Sequence, residues 1–213
     1  TQSSKDFEWI VIDDGSTDET ENIVNKWKQD DFLDITYIKQ PNGGKHKAIN
    51  RAVKCAKSDY VFIVDSDDFL VENAVERIDY FKNKYNDPKI CGFSFLRKNK
   101  NDIIIGKDFS TNEYISDYIS CRINDKICGD KAEVYKNEVL LEFPFIEFDD
   151  ENFLSEDYSW IQIANKYNMV HINEALYICD YLDDGLTKNL KAKEFKNPKG
   201  ESKRGLILCN KRC

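Results

Sequence analysis

Two apolar segments of this chain each run directly into a cluster of aspartates. The segments at 9–12 and 60–64 share this arrangement, and the carboxylates that follow them are Asp13, Asp14, Asp65, Asp67 and Asp68. Both apolar runs are continuous rather than alternating, which is typical of strands covered on both faces of a parallel sheet. Ligands of such sheets bind at the carboxyl ends of the strands, so we expect both clusters to open into one crevice.

Five carboxylates in one crevice would repel one another unless a cation lay between them, and we therefore expect a divalent metal there. Asp65 and Asp67 are two residues apart after the second apolar run, so both can reach Mg2+ or Mn2+, and such an ion bridges the oxygens of a diphosphate. The simpler interpretation of this segment is a surface turn, because Asp and Ser are common turn residues.

Alternation of strands and helices dominates the first half of the sequence. It predicts an α/β fold with a doubly wound, mostly parallel sheet. After residue 90 the pattern changes, and the predicted elements are strands at 90–96 and 130–135, a helical stretch at 114–119, a helix within 153–167 and strands at 169–172 and 177–181. Lys, Asn and Gly dominate from residue 182 onward, so we expect a loosely held tail at 182–213.

Two further segments carry groups that could act in chemistry. The turn Gly43-Gly44-Lys45 places a cation where a helix begins, and an anion bound there would be favoured by the free backbone donors and the ammonium group together. Solvated lysines at a helix start are the simpler interpretation. Glu156 and Asp157 begin another predicted helix, and one of them could act as a general base, although acidic residues are common at helix starts.

Composition excludes several classes of protein. The net charge of -8 disfavours nucleic acid as the main partner. No apolar run approaches the roughly 18 residues of a membrane span, and none stands at the N-terminus as a secretory signal, which predicts a cytoplasmic protein. The 7 cysteines contain no C-x-x-C pair, so neither a zinc site nor a disulfide framework is indicated. The chain begins with Thr rather than Met, and we expect a fragment.

Several motifs together resemble a known family. They are FEWIVIDDGSTD at 7–18, NGGKHKAIN at 42–50, VFIVDSDD at 61–68, GDKAEVY at 129–135, SED at 155–157, YLDDGLT at 181–187 and NPKG at 197–200. In this order they resemble a bacterial branch of the inverting family 2 glycosyltransferases, which have the GT-A fold. Members of that family begin with a strand and a helix that precede the first motif here, and we expect the chain to lack them.

The resemblance implies a domain plan and a role for each motif. It implies a single catalytic domain at 1–181, with a nucleotide-binding half at 1–90 and a smaller acceptor half at 91–181. The residues that would hold a nucleoside diphosphate sugar are Asp13, Asp14, Gly15, Ser16, Lys45, Asp65 and Ser66. Asp67 would be the main ligand of Mn2+ or Mg2+, with Asp65 as a second. Either Glu156 or Asp157 would be the catalytic base, and the choice between them stays open.

The implied reaction moves a sugar from a nucleoside diphosphate sugar, most simply a UDP-sugar, to a hydroxyl group. Family habit implies a glycan or a lipid-linked sugar as the acceptor. An enzyme of this kind would work in the cytoplasm or at the inner face of the membrane. Peripheral membrane association and homo-oligomer formation are both compatible with the sequence.

Two alternatives come from other classes of protein. A receiver-like signalling domain also holds Mg2+ with an aspartate pair after one strand and an aspartate after a later one. It would need a Ser or Thr at a later strand end, and Ser94 lies inside a predicted strand instead. The second alternative is a GT-A domain without activity that only binds its ligand.

Overall fold

The computed structural model describes residues 2–30, 33–180 and 190–210. The strands are β1 (Glu8–Asp13), β2 (Asp34–Lys39), β3 (Tyr60–Phe62), β4 (Phe69–Leu70), β5 (Ile90–Lys98), β6 (Glu113–Ser116), β7 (Lys131–Lys136) and β8 (Asn168–Ile178). The helices are α1 (Thr20–Gln29), α2 (Lys45–Cys55), α3 (Ala74–Lys84), α4 (Asn137–Glu142), α5 (Asp157–Ile163), α6 (Leu190–Lys196) and α7 (Pro198–Cys209), with one π-helical turn at Ser120–Asn124.

The described residues form two compact units, each assembled from separate stretches of chain. The first, which we call the large-sheet unit, comprises residues 2–6, 59–139 and 160–180. The second, which we call the two-strand unit, comprises residues 7–30, 33–58, 140–159 and 190–210. The two apolar runs that end in aspartates therefore lie in different units, β1 in the two-strand unit and β3 in the large-sheet unit.

The sheets confirm the predicted α/β class and contain more antiparallel pairing than the sequence predicts. β1 pairs in parallel with β2, and β5 pairs in parallel with β8. The other pairings described are antiparallel, namely β3 with β7, β5 with β7, β4 with β8 and β6 with β8. The alternation of strand and helix that predicts parallel pairing ends at α3, and the strands that follow it provide the antiparallel partners.

The core of the large-sheet unit is centred on β5, whose first seven residues are all buried. Phe93 and Phe95 of this strand are completely inaccessible to solvent, and both contact the ring of Phe81 from α3 at centroid distances of 6.2 and 5.7 Å. Burial of each such ring contributes about 2 to 3 kcal/mol. By contrast, Trp9 of β1 is 39% exposed and stacks on Trp27 of α1, so β1 is only partly covered and not buried on both faces as its continuous apolar sequence predicts.

The segment predicted as helical at 114–119 is a strand at its start. β6 pairs with β8 in the register Tyr114 to His171, and the π-helical turn follows only after Asp117. An aromatic and a β-branched residue stand side by side at Tyr114 and Ile115, and both favour a pleated strand when a partner edge is present. β8 supplies that edge because it is one continuous strand where the sequence predicts two shorter ones.

The described part of the predicted tail is helical and not loosely held. α6 and α7 cover most of residues 190–210, and polar contacts fix the start of α7. The buried carboxylate of Glu151 accepts hydrogen bonds from the backbone N–H groups of Lys199 and Gly200 at 2.7 and 2.8 Å. Composition alone does not reveal these contacts. No helix among the described residues is long and apolar enough to cross a lipid bilayer.

A buried histidine gives the large-sheet unit a predictable pH dependence. His171 is 1% exposed, and its imidazole contacts the rings of Phe109 and Tyr114 at 5.0 and 5.5 Å. Burial lowers the pKa of His171 to about 4, because the charged imidazolium would lose its hydration. The unfolded chain therefore binds a proton that the folded chain does not, and folding stability decreases as the pH decreases from about 6.5 towards 4.

We expect preferential protonation of His171 in the unfolded chain to lower the free energy of unfolding by about 2 kcal/mol between about pH 7 and about pH 4.5. Urea unfolding of the parent protein and of His171→Gln at both pH values measures it as the difference between the two pH dependences. Buried His46 also has a lowered pKa, mainly through burial, but it is common to both proteins and cancels. Equal pH dependences of the two proteins would contradict the assignment.

Candidate active site

The first predicted site cluster begins with a carboxylate that is completely engaged by the protein. Asp13 ends β1 and is 3% exposed. Its Oδ1 accepts a hydrogen bond from the backbone N–H of Ser16 at 2.6 Å, and its Oδ2 accepts one from the Tyr37 hydroxyl at 2.5 Å. Burial by itself would raise the pKa of Asp13, but the hydrogen bonds from Tyr37 and Ser16 and the charge of Lys39 outweigh it, and the pKa is lowered. Asp13 thus fixes the turn that carries Gly15 and Ser16.

Asp14 organises a second turn, almost thirty residues further along the chain. Its Oδ1 accepts hydrogen bonds from the backbone N–H of Gly43 at 2.9 Å and from the side chain of Gln40 at 2.7 Å, and its Oδ2 accepts one from the backbone N–H of Gly44 at 2.7 Å. Hydrogen bonds to a carboxylate are roughly twice as strong as those between neutral groups. Asp14 therefore holds the start of α2 against the end of β1.

Two glycines allow these turns to pack closely. Gly15 has φ 89° and Gly44 has φ 95°, a region in which side chains other than glycine are strained. A Cβ on Gly15 would lie 2.9 Å from the backbone nitrogen of Asn42, and one on Gly44 would lie 1.8 Å from the carbonyl oxygen of Asn152. The turn at 42–44 is therefore held between the end of β1 and the segment that leads to Glu156.

Lys45 is the first residue of α2 and contacts one of the two predicted catalytic carboxylates. Its Nζ lies 2.6 Å from Oε1 of Glu156, and about one third of each side chain is exposed. A cation at a helix start is disfavoured by the helix dipole, and a nearby anion offsets this cost. The sequence predicts that an anion binds at the Gly43-Gly44-Lys45 segment, and in the structure the carboxylate of Glu156 is an anion that contacts Lys45.

Asp157, the neighbour of Glu156, is bound by an arginine that the sequence analysis did not select. Nε and Nη2 of Arg204 donate to Oδ1 and Oδ2 of Asp157, both at 2.5 Å, which is the bidentate geometry of a guanidinium and a carboxylate. The side chains of Arg204 and Asp157 are 26% and 20% exposed. The contact with Asp157 raises the pKa of Arg204 further, so the guanidinium stays charged. Arg204 lies on α7, in the segment that composition predicts to be a tail.

The second predicted cluster forms a turn in the large-sheet unit. Asp65 follows β3, its backbone N–H donates to the hydroxyl of Tyr177 at 2.9 Å, and its carbonyl accepts from the N–H of Asp68 at 3.1 Å. Ser66 and Asp67 lie at the exposed tip of this turn, between the half-buried Asp65 and Asp68. The segment at 65–68 is therefore a surface turn, and a surface turn is compatible with its use as an acidic site.

A partly buried cation and a buried tyrosine, Arg97 and Tyr177, interact with this turn. The Arg97 guanidinium stacks on the ring of Tyr177 at 4.2 Å, and the pKa of Arg97 is raised because nearby acidic groups outweigh its burial. Burial raises the pKa of Asp68, and repulsion from Asp67 and Asp65 raises it further, against a hydrogen bond with Tyr177. The carboxylates of this turn thus retain mutual repulsion that a bound cation would relieve.

The residues of this turn fit a hard divalent cation. Within the described ranges no three His, Cys, Asp or Glu side chains converge as a preformed metal site. Mg2+ in proteins usually keeps several waters and is bound by one or two carboxylates plus the phosphates of a substrate. Asp67 and Asp65 are two such carboxylates, so these are the residues of the turn that could hold the ion.

The predicted site residues therefore divide into two sets. Within the two-strand unit the structure joins Asp14, Lys45 and Glu156 through the contacts described above, with Asp157 directly after Glu156. Asp65, Ser66 and Asp67 belong to the large-sheet unit. One crevice shared by both clusters stays a prediction. Sequence reasoning missed Arg204 and the buried Glu151, and the NPKG motif at 197–200 was the available signal for both.

The two adjacent glycines provide a sharp test of this geometry. We expect Gly44→Ala to destabilise the protein by more than about 2 kcal/mol, because it combines a positive φ with overlap on the Asn152 carbonyl. Gly43→Ala is the matched control. Its Cβ would meet Cδ of the movable Lys47 side chain at 3.0 Å, and we expect a loss below about 1 kcal/mol. Urea unfolding measures both, and equal losses would show that the close approach at Gly44 is wrong.

Comparison with known proteins gives consistent results. Residues 1–102 match the family model Glycosyl transferase family 2. Glycosyltransferase GlyG of Streptococcus pneumoniae is 28% identical over 192 residues, which are 83% of this chain and 62% of GlyG. The poly(ribitol-phosphate) beta-N-acetylglucosaminyltransferase TarP of Staphylococcus aureus is 34% identical over 109 residues, which are 50% of this chain and 28% of TarP. The chain thus spans less than two thirds of either relative.

The fold has a close counterpart among solved structures. The crystal structure of S. aureus TarS 1–349 in complex with UDP-GlcNAc matches with a TM-score of 0.68 at 22% identity, covering 86% of this chain and 53% of that one. This likeness confirms the GT-A fold that the motifs predict. The family model and the curated relatives show in addition that the chain is similar to the glycosyltransferases of family 2.

Proposed function

We propose that this chain catalyses the metal-dependent, inverting transfer of a sugar from a nucleoside diphosphate sugar to a hydroxyl group. The observation that carries the proposal is the contact of Lys45 with Glu156, beside Asp157, on the turn that Asp14 organises. These residues are far apart in the sequence, and each occupies a position that the family uses for binding or catalysis. Their meeting in the two-strand unit supports an active site there.

The donor in this proposal is a UDP-sugar. The structural counterpart TarS was crystallised with UDP-GlcNAc, which makes UDP-GlcNAc the first candidate. Asp13 and Asp14 shape the donor site, because their oxygens are engaged by protein donors, and they support the turns that carry Gly15, Ser16 and Lys45. Asp65 and Ser66 contact the ribose or the sugar in the proposal, and the acceptor is a glycan or a lipid-linked sugar.

The proposed chemistry needs a cation at the diphosphate and a base at the acceptor. Asp67 and Asp65 would hold Mg2+ or Mn2+, and a bound ion would neutralise charge on the departing nucleoside diphosphate. Asp157 or Glu156 accepts the proton of the acceptor hydroxyl while its oxygen forms a bond to the anomeric carbon. The bond from that carbon to the diphosphate oxygen breaks on the opposite face, which inverts the configuration. The nucleoside diphosphate leaves with the bonding electron pair.

The cellular setting follows from the proposed acceptor. TarP is named for a poly(ribitol-phosphate) substrate, which supports a polymer as the class of acceptor. A lipid-linked acceptor would be met at a membrane, so we propose that the protein acts in the cytoplasm at the inner face of the membrane. Peripheral membrane contact and self-association are part of this proposal.

Donor binding should depend on the aspartate turn. We expect UDP with Mn2+ to raise the melting temperature of the parent protein. At a ligand concentration of 100 times the dissociation constant, binding adds about 2.7 kcal/mol to the free energy of unfolding. Asp67→Ala should abolish the part of this shift that requires Mn2+. Glu76→Ala removes an exposed carboxylate from α3 of the same unit and should leave the shift unchanged.

Turnover should separate from donor binding at the acidic pair. We expect Asp157→Asn to retain the thermal shift with UDP and Mn2+ while it lowers sugar transfer or donor hydrolysis by about 10²- to 10⁴-fold, the usual contribution of a general base. Glu156→Gln tested in parallel identifies which carboxylate is the base. If both variants transfer sugar normally, the proposal is wrong.

Two other outcomes would assign the chain to the alternatives. Binding of UDP-sugars without any turnover, over a panel of donors and acceptors, would indicate a GT-A domain that only binds. Phosphorylation by a small phosphodonor, without stabilisation by UDP and Mn2+, would indicate a receiver-like domain.

A further inference from the structure

A guanidinium from α7 holds one of the two candidate bases in a fixed orientation. The two hydrogen bonds between Arg204 and Asp157 join one planar group to another, so they define the plane of the carboxylate as well as its position. A carboxylate has about four acceptor directions, of which this contact uses two. The remaining directions can receive the proton of a hydroxyl group.

Arg204 is itself held by its own helix. Its Nη1 lies 3.2 Å from Oε2 of Glu201, one turn earlier on α7. The pKa of Glu201 is raised by burial, although the Arg204 guanidinium opposes this effect. The guanidinium therefore lies between two carboxylates, of which it contacts Asp157 in the bidentate geometry and Glu201 with a single longer contact.

The start of α7 is fixed to the segment that leads to Asp157. Glu151 is 5% exposed and accepts the first free N–H groups of the helix, as described above. In the opposite direction, Oδ1 of the 4% exposed Asn197 accepts hydrogen bonds from the backbone N–H groups of Asn152 and Phe153 at 2.9 and 3.2 Å. These bonds connect both chain segments within a few residues of the Asp157 contact, so α7 is a rigid support for Arg204.

We propose that Arg204 is a positioning residue that orients Asp157 for its role as the base. This inference rests on the proposed function. Glu156 has a different partner, the flexible ammonium group of Lys45, which binds as a point charge and fixes no plane. A base has to meet the acceptor hydroxyl in a narrow range of geometry, and a displacement of about 1 Å can lower the rate by about 100-fold.

The test uses UDP-GlcNAc with Mn2+ and water as the acceptor, with UDP release as the readout. We expect Arg204→Gln to lower kcat by about 10- to 100-fold while KM for UDP-GlcNAc and the thermal shift with UDP and Mn2+ change less than about twofold. Arg204→Lys keeps the charge without the planar fork, and we expect it to recover only a small part of kcat. Added guanidinium at millimolar concentration should raise kcat of Arg204→Gln, and a purely structural ion pair would give no such rescue.

Arg77 provides a matched control in the large-sheet unit. It also binds a carboxylate through two hydrogen bonds, to Glu174 at 2.6 and 2.7 Å, with 30% of its side chain exposed. Arg77→Gln removes an equivalent ion pair and should leave kcat unchanged. If Arg204→Gln does not fold, Arg204→Lys provides the same comparison of kcat with KM.

The possible failures are distinguishable. Values of kcat for the Arg204 variants within twofold of the parent would overturn the positioning role and leave the proposed function intact. A loss of kcat in Glu156→Gln but not in Asp157→Asn would also overturn the positioning role, because Arg204 would then orient a residue that is not the base. The absence of UDP release from the parent protein with every UDP-sugar and acceptor would contradict the proposed function, and the inference with it.

Discussion

The carboxylate of Asp14 is the interaction on which the candidate site of the two-strand unit depends. It binds two consecutive backbone N–H groups at the turn before α2 and so joins the end of β1 to the start of that helix. The positive φ of Gly44 and its contact with the Asn152 carbonyl then place the turn against the segment that carries the acidic pair. Lys45 reaches Glu156 because this turn has one defined conformation.

Charge pairing explains how an acidic protein keeps several carboxylates close together. In the two-strand unit, Glu156 contacts Lys45 and Asp157 contacts Arg204, so each member of the acidic pair has its own cation. In the large-sheet unit, Arg97 interacts with the turn at 65–68, but Asp68 still has a raised pKa. The two acidic regions therefore differ physically, because each carboxylate of the pair at 156–157 contacts a cation, whereas burial and neighbouring carboxylates raise the pKa of Asp68.

Much of the fold and part of the site could be predicted from the sequence. Continuous apolar runs and helical spacing gave the α/β class and most elements up to β5, because these patterns are local. The prediction of a helical stretch at 114–119 was wrong at its start, because residues 113–116 pair with β8 as a strand. Such pairing depends on residues that are distant in the sequence. Asp14 and Lys45 were selected as ligand-binding residues through the family motifs, and their contacts with backbone N–H groups and with Glu156 were not predicted, since spacing alone does not reveal which groups a side chain will bind. Arg204 was missed for a related reason, because a Lys-rich segment has the composition of a tail whether or not a buried glutamate holds it.

The interleaved order of the two units has a consequence for how the protein is made. The two-strand unit includes residues before 58 and residues after 190, and the large-sheet unit needs β8 to complete the pairing of β5. Neither unit can close when the first half of the chain leaves the ribosome, and the loops that must close are long. Until their partners are synthesised, β1 and β5 expose apolar surface and unpaired strand edges. Such exposure favours aggregation and recruitment of chaperones. The Asp157 contact with Arg204 can form only after residue 204 has been synthesised, long after β1.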